Sequence, residues 1–499
     1  MHYTLNKEEP YMRKTLATLA LAAVPALFLS ACSGNATGGT AAAPVLPSVS
    51  SAHHSHIRGM DNGPQDLHAG GADVPGIAFN LGNQPVGLYS QPQAPPGQGS
   101  LFYAAPTNGT IYYCITNSTD GRHAFENYQD SGYPPTGACA PLGATATGFG
   151  GRQDPLDFVA SAVALASTEC CASGTPYYNG RLVGTQTWGQ PFEIPVLGGP
   201  IAIGYRPKDF QANVKAIKLS TWSYCAIANG TVSNWNDPAI TADNGKSITG
   251  GNDETIIFYF RSDSAATTNN FTYHLNVVCN GTFGPPYNAP PYAGPSRSAA
   301  WTFGVNNSWP GPGSSADPNP NFIGETGDPG ILAGIQTTAW STGYVQGGYV
   351  ARANPKVGQA LLQNGMKGKK PLFFAATDKA EVAKAFKNVT AANITYGGGS
   401  DGNPLGSSTP WCQLYIPQSV YAGASPKGAY PIVDVAYLLF YGNNNGIHVS
   451  DKQTLINFLV SAAATKIISK LEYAPLSSSI HTAVTTALNG SGSQPACLQ

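Results

Sequence analysis

Arg261-Ser262-Asp263-Ser264-Ala265-Ala266-Thr267-Thr268 is the stretch whose residue types and spacing bear most directly on chemistry. It follows the apolar run Thr255 to Phe260 and precedes Asn269 to Val278, where Phe271, Leu275 and Val278 recur at helical spacing. A strand, a turn of small hydroxyl residues and a helix start bring several backbone N–H groups and a threonine hydroxyl to one point, at the positive end of the helix dipole. That is the outline of an oxyanion pocket. Arg261 adds planar, charge-assisted hydrogen bonds, and Asp263 either orients the guanidinium or accepts a proton from a protonated oxyanion. The same residues also fit a plain helix start capped by Ser264, with an Arg-Asp pair on the surface. Two glycine turns, Ala146-Thr147-Gly148-Phe149-Gly150-Gly151-Arg152 and Ala69-Gly70-Gly71-Ala72-Asp73-Val74-Pro75, would let backbone amides approach a ligand, and equally read as ordinary loops.

The elements that must position these residues read as α/β. Apolar strand-like runs bounded by Gly or Pro recur at Asp157 to Ala160, Ile194 to Leu197, Pro200 to Ile203, Thr255 to Phe260 and Pro431 to Phe440. They alternate with helical patterns, clearest over Lys379 to Phe386 and over Lys452 to Tyr473, where Leu455, Leu459, Ala463, Ile467 and Leu471 share a face. Strands alternating with helices imply layered α/β units. Between Leu88 and Ala140, alternation such as Thr110-Ile111-Tyr112-Tyr113-Cys114 suggests an inserted β-hairpin region, and the Pro, Gly, Asn and Ser of residues 280 to 330 suggest a long surface excursion.

Composition bounds the function classes. Of 499 residues, 58 are Gly and 40 Pro, and only 26 are basic and 27 acidic, while 42% are hydrophobic. Disorder needs low hydrophobicity with high net charge, and this chain has neither. A net charge of −1 without a Lys/Arg block excludes a nucleic-acid binder, which needs clustered positive charge. Met12-Arg13-Lys14, an uncharged run from Thr15 to Phe28 and Leu29-Ser30-Ala31-Cys32 form a basic region, an apolar region and a small-residue cleavage site. The run is shorter than the roughly 20 residues a membrane-spanning helix needs, so residues 1–31 are expected to be a cleaved export signal. Leu-Ser-Ala-Cys resembles the bacterial lipobox, which implies lipid on Cys32 and a membrane anchor, with residues 32–68 as a flexible tether. Within that tether His53, His54 and His56, with His68 beyond, read as solvated linker in preference to a metal site. Eight further cysteines, Cys114, Cys139, Cys170, Cys171, Cys225, Cys279, Cys412 and Cys497, suggest disulfides in an oxidising compartment, with Cys114–Cys139 as a local bridge and the adjacent Cys170 and Cys171 bonding elsewhere. No metal-ligand spacing and no cofactor motif are evident.

Taken in order, these blocks resemble the phosphate-binding protein of the bacterial phosphate ABC transporter. They are Gly71-Ala72-Asp73-Val74-Pro75, Gly148-Phe149-Gly150-Gly151, Asp157 to Ser161, Ile194 to Ala202, Leu219-Ser220 through Asn229-Gly230, Trp235-Asn236-Asp237-Pro238-Ala239-Ile240, Arg261 to Thr268, Gly343-Tyr344-Val345 and Tyr473-Ala474-Pro475-Leu476, spanning about residues 70 to 485. The resemblance implies a type II-like periplasmic-binding-protein fold of two α/β lobes on a two-strand hinge. Lobe one would hold residues 69–203 and 431–490, and lobe two 204–430, with crossings near Gly199 and Val433.

The resemblance also implies a ligand set: Asp73, Val74, Thr147, Gly148, Phe149, Arg261, Asp263, Ala265, Ala266 and Thr267. Several positions depart from the family. A ligand threonine has become Asp73, a loop serine has become Ala265, Gly148 and Phe149 stand where hydroxyls are expected, and the buried aspartate that accepts the proton of hydrogen phosphate is Ala162. The expectation is that the acidic acceptor has moved from Ala162 to Asp73. The implied role is capture of phosphate or a related oxyanion between lobes and delivery to an ABC permease from the outer side of a bacterial membrane, not catalysis. Two rivals stand beside it. One is a cell-surface or secreted binding protein on the same scaffold with a weakened site. The other is an exported phosphatase, which needs a nucleophile and metal ligands, whereas few His lie outside the tether and no metal-ligand spacing is present.

Overall fold

The computed structural model describes residues 66–83, 95–127, 157–175, 182–183, 186–187, 189–294, 297–423, 426–442 and 448–499. Cys32, Cys139, Thr147, Gly148 and Phe149 lie outside the described residues. The fold is built on one mixed sheet of eight main strands: β1 Leu67–Gly71, β2 Ile111–Ile115, β3 Phe158–Ser161, β4 Pro191–Tyr205, β5 Ile257–Arg261, β6 Phe322–Glu325, β7 Ser341–Gln346 and β8 Val433–Tyr441, in the order β2-β1-β3-β8-β4-β7-β5-β6. β1 pairs in parallel with β2 and β3 at one side, and β5 pairs in parallel with β6 and β7 at the other. These two parallel groups are the cores of two α/β lobes. β4 joins them: residues 191–200 run antiparallel to β8, and residues 201–205 run antiparallel to β7.

β4 and β8 are buried along their whole length. The two runs expected at Ile194–Leu197 and Pro200–Ile203 are therefore one strand, although Pro195 and Pro200 lie inside it. A proline removes a ladder donor, and the strand absorbs one of these losses at a bulge. Ala436 pairs with Leu197 and Tyr437 with Pro195, so Val196 is the extra residue. The crossing itself is made by glycine. A Cβ on Gly198 would strike the ring of Phe386, and one on Gly199 would strike the amide of Gln346.

Other expectations change for local reasons. Leu67 and His68, read as the end of the tether, open β1, with His68 N donating to Asp157 Oδ2 at 2.7 Å. Ile111–Ile115 is a parallel strand of the main sheet and not part of a hairpin. The helix read over Lys452 to Tyr473 is two helices, Val449–Leu459 and Ala462–Lys470, because Ser461 caps the second by accepting from Ala464 N at 3.2 Å. The stretch 280–330 is no loose excursion. Trp301 and Trp309 are buried, and Trp309 stacks on Phe258, Phe260, Phe271 and Tyr344 while donating from Nε1 to Pro312 O at 2.8 Å. Arg297 forks onto Asp237 at 2.7 and 3.0 Å and lies over Trp222. Its last residues enter β6 and the helix Gly327–Thr337.

Cys225 bonds Cys279 and Cys412 bonds Cys497. Cys170 and Cys171 bond each other, contrary to expectation, since those other described cysteines are already taken. Cys114 is also disulfide-bonded, and Cys139, its expected partner, is outside the described residues. Because Trp309 carries the packing of its segment, Trp309→Ala should lower the free energy of unfolding by about 3–5 kcal/mol. Urea unfolding followed by far-ultraviolet circular dichroism reads this, and a loss under about 1 kcal/mol would show that the segment only drapes over the lobe.

Candidate functional site

β5 ends on Arg261, and a four-residue turn leads into a helix, α1, Ala266–Val278. Its N-cap is Ala265, which offers no side-chain acceptor. Ser264 does not cap the helix; its hydroxyl bonds Thr119 Oγ1 at 2.9 Å, on the helix Ser118–Asn127 that follows β2. A helix start without a capping side chain leaves its first amides available to an anion. The cation beside it is wholly buried: Arg261 has no exposed surface.

A buried guanidinium must be paired, and three carboxylates do this. Asp263 takes Nε at 2.7 Å and Nη2 at 2.5 Å in a fork, and its Oδ1 also accepts Gly327 N at 3.2 Å. Asp73, on the turn after β1, takes Nη1 at 2.6 Å and accepts the backbone N–H of Asp328 at 2.9 Å. Asp328, in the first turn of helix α2, Gly327–Thr337, approaches Nη1 at 3.3 Å. Of the five N–H groups of Arg261, one on Nη2 has no acceptor among the described residues. The backbone N–H of Arg261 donates to Tyr344 Oη at 3.0 Å, and that hydroxyl pairs with Thr268 Oγ1 at 2.7 Å.

The carboxylates respond unequally. Burial pushes Asp263 up, but the hydrogen bonds and charge of Arg261 outweigh it and hold the group below the usual carboxylate range. Burial raises Asp73, with Arg261 offsetting only part of the effect. Asp328 is raised well above the ordinary value by burial first and by the charge of Asp73 second. Asp434, on β8 opposite Gly199, is pushed up to about 8, chiefly by burial. The Arg261 guanidinium is held well above its ordinary value: burial opposes the charge, but Asp73 and Asp263 overcome it.

Of the residues singled out in the sequence, Asp73, Arg261 and Asp263 meet directly, and Ala265, Ala266 and Thr267 form the adjoining helix start. Val74, Ala162, Val163 and Ala266 pack into a small apolar cluster of their own, and Asn270 of α1 donates to Ala162 O at 3.0 Å. Ala162 thus fills its position with a methyl group. Thr147, Gly148 and Phe149 fall outside the described residues. Sequence reasoning missed Asp328 because it sits at the end of a stretch read as loop. The available signal was Gly327-Asp328-Pro329, an acidic residue and a proline at a helix start. Three buried oxygens near these groups, Thr267 Oγ1, Asp328 Oδ2 and Tyr349 Oη on the helix Gly347–Arg352, have no hydrogen-bond partner among the described residues.

A family model described as a PBP superfamily domain matches residues 116–463. Phosphate-binding protein PstS3 of Mycobacterium bovis BCG is 34% identical over 142 residues, covering 28% of this chain and 34% of that protein. Phosphate-binding protein PstS 2 of Mycobacterium tuberculosis is 27% identical over 290 residues, covering 57% of this chain and 60% of that protein. The chain thus spans about a third of the length of the first of these relatives. Among solved structures, a DING protein superposes with a TM-score of 0.57 at 19% identity, over 86% of this chain and 96% of that one. A phosphate-binding protein from Stenotrophomonas maltophilia gives 0.55 at 16% identity, over 87% and 96%. At these identities the structures speak to the fold alone, and they bear out the two-lobe α/β architecture.

Two outcomes follow from the electrostatics. Arg261→Met should cost about 3–5 kcal/mol in chemical unfolding at neutral pH, because it strands buried carboxylates, and a near-neutral change would mean that they are solvated. Asp434 keeps its proton in the native state up to about pH 8 but loses it near pH 4 when unfolded. Its contribution to stability is therefore complete below about pH 4 and is lost as pH rises through about 8. Asp434→Asn should flatten that decline, read as the difference in urea midpoint between pH 5 and pH 8.5.

Proposed function

The chain belongs to the PBP superfamily, and on that premise we propose that it is an exported lipoprotein that binds phosphate or a related oxyanion between its lobes and delivers it to an ABC permease. The observation that carries this reading is the meeting of Asp73, from the loop after β1, with Arg261 and Asp263, from the end of β5, beside the uncapped start of α1. Similarity to proteins named as phosphate-binding supports the same class of ligand. Cys32 would carry the lipid, residues 32–68 would be the tether, and the lobes, 69–203 with 431–490 and 204–430, would close by a hinge at β4 and β8. The chain acts as a binding protein and not an enzyme, in keeping with the relatives it matches.

Recognition works by orientation. Arg261, fixed by the fork from Asp263, offers one remaining N–H on Nη2, and α1 adds backbone amides and the Thr267 hydroxyl. Asp73 stands as the carboxylate that takes the proton of a protonated oxyanion, the part that Ala162 can no longer play. A buried acceptor of this kind is worth roughly 1–3 kcal/mol, enough to separate a protonated oxyanion from sulfate. A second reading, a surface or secreted binding protein with a weakened anion site, draws on the apolar cluster of Val74, Ala162, Val163 and Ala266 beside the arginine.

Calorimetric titration with phosphate, arsenate and sulfate separates the two. Phosphate and arsenate should bind and sulfate should bind far more weakly, while Asp73→Ala should lose about tenfold or more in phosphate affinity. Absence of binding to all three anions at millimolar concentration would favour the second reading, and undiminished binding in Asp73→Ala would remove Asp73 from the site.

A further inference from the structure

Three carboxyl groups face one guanidinium that has no exposed surface, so the charges do not balance. The Asp263 fork neutralises Arg261 by itself. Asp73 and Asp328 then converge on the remaining nitrogen, Nη1, at 2.6 and 3.3 Å, with the Asp328 backbone N–H on Asp73 Oδ2. Both side chains are buried, Asp328 completely. Two like charges held this closely in a dry site cannot both persist, and one carboxyl keeps its proton. Asp73 has the shorter contact with Arg261 and accepts an amide N–H, both of which favour its ionised form. Asp328 has the longer contact, and its second oxygen, Oδ2, is buried with no hydrogen-bond partner among the described residues.

We propose that Asp328 is a specificity-determining residue of this site, present as the neutral acid and donating a hydrogen bond from its carboxyl to the bound oxyanion. The proposal rests on the oxyanion reading above and adds a donor that no basic residue supplies. Its surroundings agree. The charged and titratable groups that face it are Arg261 and Asp263 at the end of β5, Asp73 after β1, Asp434 on β8, Tyr349 on the helix Gly347–Arg352 and Tyr473 before the short strand Ala474–Pro475. Only Arg261 among them is a cation. Burial and the charge of Asp73 lift Asp328 well above the ordinary carboxylate range, in the direction the geometry requires. An acid donor suits a ligand with several acceptor oxygens and ceases to donate once it ionises, so binding must weaken on the alkaline side.

The test is calorimetric titration of the full chain with inorganic phosphate between pH 5.5 and 9, for the wild type, Asp328→Asn and Asp328→Ala. The asparagine keeps an N–H donor and cannot ionise. Comparing variants with the same ligand cancels the ionisation of phosphate itself. Asp328→Asn should bind more tightly than Asp328→Ala at neutral pH and should lack the alkaline loss of the wild type, which approaches roughly tenfold per pH unit once Asp328 titrates. Parallel pH profiles for wild type and Asp328→Asn, with binding intact, would overturn the proposal while leaving the oxyanion reading in place. No phosphate binding by any form at any pH would overturn both. Carbon-13 carboxyl resonances of the unliganded wild type give a readout independent of the variants' folding: Asp328 should show the protonated shift at pH 7, and titration in the ordinary carboxylate range would defeat the idea.

Discussion

A guanidinium without any water contact is the constraint to which much of this molecule answers. Arg261 lies at the end of an interior strand of the sheet, where a charge is expensive unless it is paired, and four of its five N–H groups are directed to carboxyl oxygens. The acceptors come from separate parts of the chain: Asp263 from the next turn, Asp328 from the helix after β6, and Asp73 from the far side of the sheet order. One side chain therefore ties the loop after β1 to the ends of β5 and β6. It also sets the chemistry of the proposed site, because the carboxylates that satisfy the arginine are the groups that an anion bound there would meet.

The central scaffold was legible in the sequence wherever hydrophobic runs have clean boundaries. The strand before Arg261, the helix after it, the long run from Pro431 and the helix from Lys379 all lie where their patterns put them, within the usual uncertainty at element ends. Glycine and proline misled where tertiary structure absorbs them: Gly198-Gly199-Pro200 reads as a break between two runs, but β4 passes through it unbroken. Glycine and proline misled again over residues 280–330, because composition says nothing about Trp309, which buries itself among the aromatic residues of β5 and α1, or about Trp301, which packs against it.

The site was half legible for a related reason. Arg261 and Asp263 are two residues apart, so local spacing reveals their partnership. Asp73 is 188 residues from Arg261, and the resemblance placed it there. Asp328 was legible only as a helix start: an aspartate there ordinarily serves the helix, and only the three-dimensional structure shows that it shares a guanidinium nitrogen with Asp73. Ala162 carries the complementary lesson. Its identity announced a lost acceptor, and the structure adds that Val74, Val163 and Ala266 close around it.

The paired glycines of β4 have an evolutionary consequence. At Gly198 and Gly199 a single added methyl group would collide with Phe386 or Gln346, so the segment joining the lobes has almost no room to drift. Asp73, Ala162 and Asp328 stand instead on turns and a helix start, outside the strands of the sheet. The strand that joins the two lobes is thus confined at these two positions to the one residue without a side chain, whatever stands in the turns around Arg261.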